Sequence, residues 1–291
     1  TMADGPHGLR KQIDTSDMLG INRSVPATCF PTASITACSF DEELLELVGK
    51  TIALEAKANG VHMLLGPGAN IKRNPLCGRN FEYFSEDPYL TGKMAASFIR
   101  GVEGQGVASS LKHFAFNNQE YKRFTSDSIL DERTMHEIYL SGFEMAVKEG
   151  KPSTVMSSYN KFNGVHTGDS KELLTDILRN KWGFDGMVVT DWCALTNRVK
   201  HFEAGCDLAM PGGSAYNEKE ALQAVLTGEI DEKYIDASVS RIINLSKKVS
   251  RATCNVDLDK HHEIAYKVAC ESAVLLKNND NILPINDEND V

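Results

Sequence analysis

The segment from Gly183 to Trp192, GFDGMVVTDW, constrains the fold of this chain more than any other stretch. An Asp-Gly turn precedes the apolar run 187–189, which is typical of a strand buried on both faces of a parallel sheet. The strand ends in Asp191 and Trp192, at the carboxyl edge where α/β barrels build their active sites. Asp191 is therefore a candidate nucleophile, although an Asp after a strand is more often a turn former or a helix cap.

The remainder of the chain alternates strands with helices over short connections. Predicted strands cover 61–66, 107–114, 154–159 and 206–210, and predicted helices cover 41–60, 89–103, 131–150, 170–182, 194–204, 218–227, 232–249 and 259–278. The opening TMADG and the late segment 282–285, ILPI, are predicted as two further strands. This alternation predicts an α/β fold with a mainly parallel sheet, a TIM-like barrel whose missing strand we expect before Thr1.

Composition excludes several classes of function. The chain has 291 residues and a net charge of −9 without a basic block, which argues against nucleic acid and anionic membranes as partners. An odd number of cysteines, seven, without a CxxC pair predicts buried thiols in a reducing compartment, hence a cytoplasmic protein. His261 and His262 are adjacent and point to different faces of a helix, so no metal site and no cofactor is predicted.

Three further segments carry chemistry at predicted strand ends or in loops. Asp4, in DGPHG, is either a bidentate acceptor for hydroxyl groups or a turn-capping residue. Lys112 and His113 end the strand 107–114, where a cation pair is either part of a site or a structural salt bridge. Glu120 follows closely after them.

The loop 72–88 contains an arginine, two glutamates and three aromatic residues, an unusual mixture for a linker. Arg79 can fork onto vicinal hydroxyls or onto a carboxylate. Glu82 and Glu86 are candidate ligands, and one of them is expected to hold Arg79 in place. A solvated loop remains the alternative.

Several segments together resemble glycoside hydrolase family 3, in its β-glucosidase branch. The resemblance rests on DGPHG at 4–8, GRNFEYFSEDP at 78–88, KHFAFNNQE at 112–120, MSSYNKFNG at 156–164, GFDGMVVTDW at 183–192, AGCDLAMPG at 204–212 and ESAVLLKNNDNILPI at 271–285. Each motif is weak alone, whereas their joint occurrence in family order over nearly the whole chain is specific.

The resemblance implies a barrel that hydrolyses terminal β-D-glucosyl residues with retention of configuration. Asp191 would be the nucleophile, and the substrate would be a β-glucoside or a cello-oligosaccharide. The implied substrate-binding residues are Asp4, Arg79, Lys112, His113, Tyr159 and Trp192, and the implied supporting residues are Glu86, Glu120 and Met156. Retaining hydrolysis also needs a second carboxyl group about 5–5.5 Å from the nucleophile.

The second carboxyl group is where this chain departs from the family. The family's β-glucosidases take their acid/base glutamate from a second α/β domain downstream, and no residue here matches it. The resemblance therefore implies a barrel domain over 1–250, truncated at its N-terminus, and a linker with the start of a second α/β sandwich domain over 251–291. The missing domain is then a partner of the barrel, and a homo-oligomer is left open.

Two other functions compete with a β-glucosidase. A Schiff-base lyase would use Lys112 as its amine. A non-catalytic sugar-binding protein derived from a hydrolase would explain the absence of the second carboxylate.

Overall fold

The computed structural model describes residues 1–13, 21–212 and 214–285 and contains a curled, parallel six-stranded sheet. The strands of the described residues are β1 (Met2–Asp4), β2 (Met63–Leu65), β3 (Ala108–Phe114), β4 (Asp127–Ser128), β5 (Thr154–Ser157), β6 (Lys161–Phe162), β7 (Val165–His166), β8 (Met187–Trp192) and β9 (Leu208–Met210). The large sheet has the order β1-β2-β3-β5-β8-β9, and every neighbouring pair is parallel. This is the curled sheet of a TIM-like α/β fold, as the sequence predicts.

Helices connect successive strands and cover the outside of the sheet. The longer ones are Glu42–Ala58, Pro88–Glu103, a helical run over 132–150, Glu172–Lys181, Arg198–Ala204, Ala215–Leu226, Lys233–Lys248 and Leu258–Ser272. Asp41 caps the first of these through the backbone N–H groups of Glu43 and Leu44. Asp87 does the same for Pro88–Glu103, which has its proline in the first turn.

Side-chain alternation along the strands determines which residues face the inside of the curl. The inner layer is built from Met63, Ala108, Met156, Met187, Val189 and Met210, which belong to five different strands. Outward residues of the same strands, such as Val155 and Val188, pack instead against the helices. Because successive side chains of a strand point to opposite faces, Asp191 follows Met187 and Val189 on the inner face.

A small second sheet lies beside the barrel's carboxyl edge. Strands β6 and β7 form an antiparallel hairpin, and β4 pairs with β6. Both turn residues of the hairpin, Asn163 and Gly164, have positive φ, as a two-residue hairpin turn requires. The Asn-Gly turn predicted from the sequence is therefore present.

Helix Leu258–Ser272 packs against helix Glu42–Ala58 of the barrel. Its buried His261 lies with Nδ1 2.7 Å from Oε1 of Glu55, and Ala265 and Val268 join the apolar cluster beneath it. The assignment of 251–291 to a linker and a second domain stays a prediction.

Four predictions from the sequence need correction. The segment 282–285 forms no strand, because no strand within the described residues lies beside it to accept its backbone hydrogen bonds. The last helix ends at Ser272 rather than near residue 278, and the helix predicted from residue 194 begins at Arg198, capped by Asn197. Cys29, Cys38, Cys193 and Cys270 are exposed, so the thiols are not uniformly buried.

A helix that crosses a bilayer must be both long and apolar. Across 1–13, 21–212 and 214–285, no helix is long and apolar enough to span a membrane.

Candidate active site

Asp191 lies at the carboxyl end of β8 and points into the curl of the sheet. The residue is 8% exposed. Its Oδ1 accepts a hydrogen bond of 2.6 Å from the backbone N–H of Trp192, whereas Oδ2 has no hydrogen-bond partner among the described residues. Burial raises the pKa of the Asp191 carboxyl, against the lowering effects of Arg79 and of the Trp192 N–H.

Asp4 and Lys112 meet across the inner face of the sheet, although 108 positions separate them in sequence. The Lys112 ammonium lies 3.0 Å from Oδ1 of Asp4 and 2.8 Å from Oε1 of Glu82. Lys112 is almost fully buried, and burial alone would lower its pKa. Asp4 and Glu82 outweigh that effect and hold the pKa of Lys112 above its ordinary value, so the amine stays charged.

The loop between β2 and helix Pro88–Glu103 brings Arg79 and Glu82 to the same place. The backbone of Gly68 forms β-bridges with both Tyr83 and Lys112, and a Cβ at this position would lie 2.9 Å from the Tyr83 ring. This close approach seats the loop directly on the end of β3. Glycine is required here because a larger residue would push Tyr83 away.

Glu82 is a buried carboxylate between two cations. Its Oε2 accepts from Nε of Arg79 at 2.8 Å, and its Oε1 faces Lys112. Burial alone would raise the pKa of Glu82, but Lys112 and Arg79 together hold it below its ordinary value. Glu82 therefore fixes two of the predicted sugar-binding cations in place.

His113 is the most enclosed of the predicted site residues. Its Nε2 lies 2.8 Å from Nη2 of Arg79 and 3.5 Å from Oδ2 of Asp191, and its Nδ1 lies 3.0 Å from the Tyr83 hydroxyl. The Asn70 side chain exchanges two hydrogen bonds with the His113 backbone, of 2.8 and 2.9 Å. Burial and the neighbouring Arg79 lower the pKa of His113, so the ring is neutral.

Tyr159 closes the site on the side of the loop that follows β3. The pKa of its hydroxyl is raised by burial and by the nearby Asp191 carboxylate. The guanidinium carbon of Arg123 lies 4.1 Å from the Tyr159 ring centroid. Glu120 holds Arg123 with a contact of 2.7 Å, so Glu120 lies beside a cation.

The structure brings most of the predicted site residues together. Asp4, Arg79, Lys112, His113, Tyr159, Asp191 and Trp192 lie at the carboxyl ends of the strands or in the loops that follow them, joined by the contacts above. Met156 belongs to the inner layer below them. Glu86 is exposed and lies near Lys72, so its supporting role stays a prediction, whereas Glu82 contacts both Arg79 and Lys112.

Four contributors were not identified from the sequence: Asn70, Tyr83, Asn117 and Arg123. Asn117 donates to the Tyr83 hydroxyl at 3.4 Å and to Glu120 at 3.2 Å. The only signal for Asn117 and Arg123 was their closeness to Lys112 and His113 in the chain. Tyr83 was one of the three aromatic residues noted in the loop 72–88, but its partner, 30 positions away, was not predictable, and Asn70, whose partner lies 43 positions away, had no sequence signal.

A cleft of about 580 Å³ lies outside this cluster. It opens at the amino edge of the sheet, between Pro152, Phe184 and Leu245, and contains none of the site residues. Within 1–13, 21–212 and 214–285, no three His, Cys, Asp or Glu residues are grouped so as to hold a metal ion.

Comparison with known proteins decides the family. The profile of the glycosyl hydrolase family 3 N-terminal domain matches residues 2–245. The chain belongs to glycosyl hydrolase family 3.

The family 3 relatives are longer proteins. The chain is 51% identical over 287 residues to thermostable β-glucosidase B of Acetivibrio thermocellus, covering 98% of this chain and 38% of the relative. It is 46% identical over 291 residues to an exo-α-(1→6)-L-arabinopyranosidase of Bifidobacterium longum, with the same two coverages. The chain thus spans about two fifths of these curated relatives.

Solved structures of family 3 enzymes agree with the fold. β-Glucosidase 3B from Thermotoga neapolitana, solved in complex with α-D-glucose, matches with a TM-score of 0.89 and 43% identity over 98% of this chain and 41% of that one. A β-glucosidase from Bifidobacterium adolescentis matches with a TM-score of 0.90 and 42% identity, again over 98% and 41%. Both are similar to this chain along almost its whole length.

Proposed function

We propose that the protein containing this chain hydrolyses terminal β-D-glucosyl residues with retention of configuration. The observation that carries the proposal is the environment of Asp191. One of its oxygens is buried without a hydrogen bond, at the edge of a cluster of two carboxylates and two cations formed by Asp4, Glu82, Arg79 and Lys112. The β-glucosidase relatives support the same reading.

The charged cluster suits recognition of sugar hydroxyls. Asp4 is the most accessible member, with 42% of its side chain exposed, and its carboxylate can accept hydrogen bonds from two neighbouring hydroxyls. Arg79 and Lys112 have only donors, so they complement the hydroxyl oxygens. Because Glu82 already fixes both cations, substrate meets donors that are held in position before it binds.

Asp191 then acts as the nucleophile. Its free Oδ2 attacks the anomeric carbon, the glycosidic C–O bond breaks, and the aglycone leaves with a proton. Water hydrolyses the glycosyl–aspartate ester in the second step, which restores the original configuration. The half-exposed Trp192 offers an apolar surface to the C–H groups of the sugar or aglycone.

The acid/base is proposed to come from outside residues 1–291. Asp4 and Glu82 contact Lys112, and Glu120 contacts Arg123. A neighbouring cation favours the ionised form, whereas a general acid needs its pKa raised. The missing second domain is the proposed source, since the chain spans only part of its relatives.

A Schiff-base mechanism fits the site less well. It needs Lys112 as a neutral amine, but two carboxylates hold this ammonium charged.

A non-catalytic sugar-binding role would leave the same hydroxyl-binding cluster in use. An α-L-arabinopyranoside is a further substrate to include, because a relative named for that activity is 46% identical.

The experiment is a hydrolysis assay of the full-length protein with three 4-nitrophenyl glycosides: β-D-glucoside, α-L-arabinopyranoside and α-D-glucoside. We expect turnover of the β-D-glucoside, with β-glucose as the first product in proton NMR spectra. Asp191→Asn should abolish it while glucose binding persists. Failure to hydrolyse any of the three, with glucose still bound, would support the sugar-binding alternative.

The seven unpaired cysteines support one further proposal, a cytoplasmic location. Four of them are exposed, and exposed thiols persist in a reducing compartment.

A further inference from the structure

The ring of His113 lies between Arg79, Tyr83 and Asp191, and its protonation pattern follows from those neighbours. Nε2 is 2.8 Å from an Arg79 nitrogen, and Nδ1 is 3.0 Å from the Tyr83 oxygen. The same Nε2 is only 3.5 Å from Oδ2 of Asp191, yet that oxygen has no hydrogen-bond partner in the described part of the chain.

The contact with Arg79 indicates which nitrogen of His113 carries the proton. A guanidinium has donors and no acceptor, so a 2.8 Å contact requires Nε2 to offer its lone pair. A neutral imidazole with an accepting Nε2 has its proton on Nδ1. That proton then points at the Tyr83 oxygen, which is an acceptor at hydrogen-bond distance.

We propose that Tyr83 is a positioning residue that holds His113 in the Nδ1–H tautomer and thereby keeps Oδ2 of Asp191 without a donor. The proposal rests on the proposed function, in which Oδ2 is the attacking atom. Arg79 takes the Nε2 lone pair and Tyr83 takes the Nδ1 proton. Neither ring nitrogen then has a hydrogen to give to the nucleophile.

Tyr83 is well placed to hold a single orientation. It is 1% exposed, its ring lies against Gly68, and its hydroxyl also accepts from Asn117 at 3.4 Å. Its ring meets that of His113 edge to face, with centroids 6.0 Å apart. A side chain restrained by these contacts presents its oxygen to Nδ1 at a fixed angle.

The opposite tautomer would change the chemistry of the nucleophile. With its proton on Nε2, His113 would repel the Arg79 donors and could turn its N–H toward Oδ2, 3.5 Å away. A hydrogen bond to a carboxylate stabilises the charged form, which lowers both its pKa and its nucleophilicity. Tyr83 therefore protects reactivity although it does not contact the reacting atoms itself.

Other charged and titratable groups also face His113, Asp191 and Tyr83 and contribute to the pH profile of kcat/KM. Arg79 and Glu82 come from the loop after β2. Lys112, Glu120 and Arg123 come from β3 and the loop that follows it, and Tyr159 comes from the loop after β5. All of them are present in both the wild type and a Tyr83 variant. Their contribution to the profile therefore cancels in the comparison.

The first test is Tyr83→Phe in the full-length protein, which preserves the ring and removes the acceptor oxygen. We expect kcat/KM for 2,4-dinitrophenyl β-D-glucoside to fall about 10- to 100-fold, with little change in glucose affinity. The acidic limb of the kcat/KM profile should move to lower pH, because Asp191 gains a donor. Tyr89→Phe, at a tyrosine that is 63% exposed, is the matched control and should change neither quantity.

A purely structural role for Tyr83 would lower kcat/KM equally at every pH without moving the acidic limb, and that result would overturn the proposal. So would an unchanged kcat/KM. If the variant does not fold, neutron diffraction from deuterated crystals of the wild type decides: a deuteron on Nδ1 and none on Nε2 is expected, and the reverse refutes it. The deuteron's position does not depend on turnover, whereas failure of the proposed function would appear as no glycoside hydrolysis by the wild type.

Discussion

At the scale of single residues, Glu82 shows how the site is stabilised before any substrate binds. It is 5% exposed and contacts Arg79 at 2.7 Å and Lys112 at 2.8 Å. Removing one member of a buried ion network leaves the others as uncompensated charges. Glu86, four positions later, is exposed, which makes it a matched control on the same loop.

We therefore predict that Glu82→Gln destabilises the protein by about 3–5 kcal/mol at neutral pH, because Arg79 and Lys112 lose their shared carboxylate. Glu86→Gln should change stability by less than about 0.5 kcal/mol. Urea denaturation of the two variants and the wild type measures both. Equal stability of all three would contradict the role assigned to Glu82.

The same residue predicts a pH dependence. The folded-state pKa of Glu82 lies below its ordinary value, so its contribution is fully present above the unfolded-state pKa of about 4.3. It is lost as pH falls toward the folded-state pKa. The stability difference between wild type and Glu82→Gln should therefore shrink steadily below about pH 4. Denaturation curves at several acidic pH values check this, and a difference that grows with acidity would contradict it.

At the scale of elements, the short buried strands and their order along the chain could be predicted, because apolar runs between turn signals are a local property. The contacts that the loops make could not be predicted in this way. Asn70 and Tyr83 form their bonds with β3 only after the chain has folded, so no local pattern identifies these partners. From the sequence, Glu82 and Glu86 were equivalent candidates in one loop. Only the direction in which each side chain points in the folded loop distinguishes them.

Helix Lys233–Lys248 shows the limit of periodicity in another way. Its apolar residues fall in register, yet Val239 and Ile243 are 47% and 46% exposed. Periodicity predicts that a helix has an apolar face, but it does not predict that another element covers that face.

Asp207 joins several elements through one buried carboxylate. It accepts hydrogen bonds from the Val188 backbone at 2.8 Å, from Arg179 at 3.0 Å, and from Ser238 and Arg241 at 2.8 and 2.7 Å. These partners belong to β8 and to the helices Glu172–Lys181 and Lys233–Lys248. Asp207 thus fastens two helices to the strand that ends in Asp191.

We predict that Asp207→Asn lowers the free energy of unfolding by about 3–5 kcal/mol, because two arginines lose a buried counter-ion. Asp231→Asn, whose partner Lys233 is exposed, serves as the matched control and should have little effect. Urea denaturation again provides the measurement. An Asp207→Asn protein as stable as the control would show that the network contributes nothing.

At the scale of the whole molecule, the chain contains the proposed nucleophile and the proposed sugar-binding cluster, while each further carboxylate in the site lies beside a cation. We predict that a folded 1–291 chain, verified by circular dichroism, is nearly inert on cellobiose. Loss of general acid catalysis typically costs about 10²–10⁴ in rate. A dinitrophenyl glucoside has a leaving group that needs less protonation, so relatively more activity should remain on it. Ordinary rates on cellobiose would instead require an acid within this chain, and Glu120 would be the first residue to replace.

The assignment of Asp191 is the central claim, and covalent trapping tests it most directly. The full-length protein is incubated with 2,4-dinitrophenyl 2-deoxy-2-fluoro-β-D-glucoside, digested, and sequenced by mass spectrometry. A fluoroglucosyl adduct is predicted on Asp191, in the peptide that contains GFDGMVVTDW, and Asp191→Asn should give none. An adduct on any other residue would contradict the account.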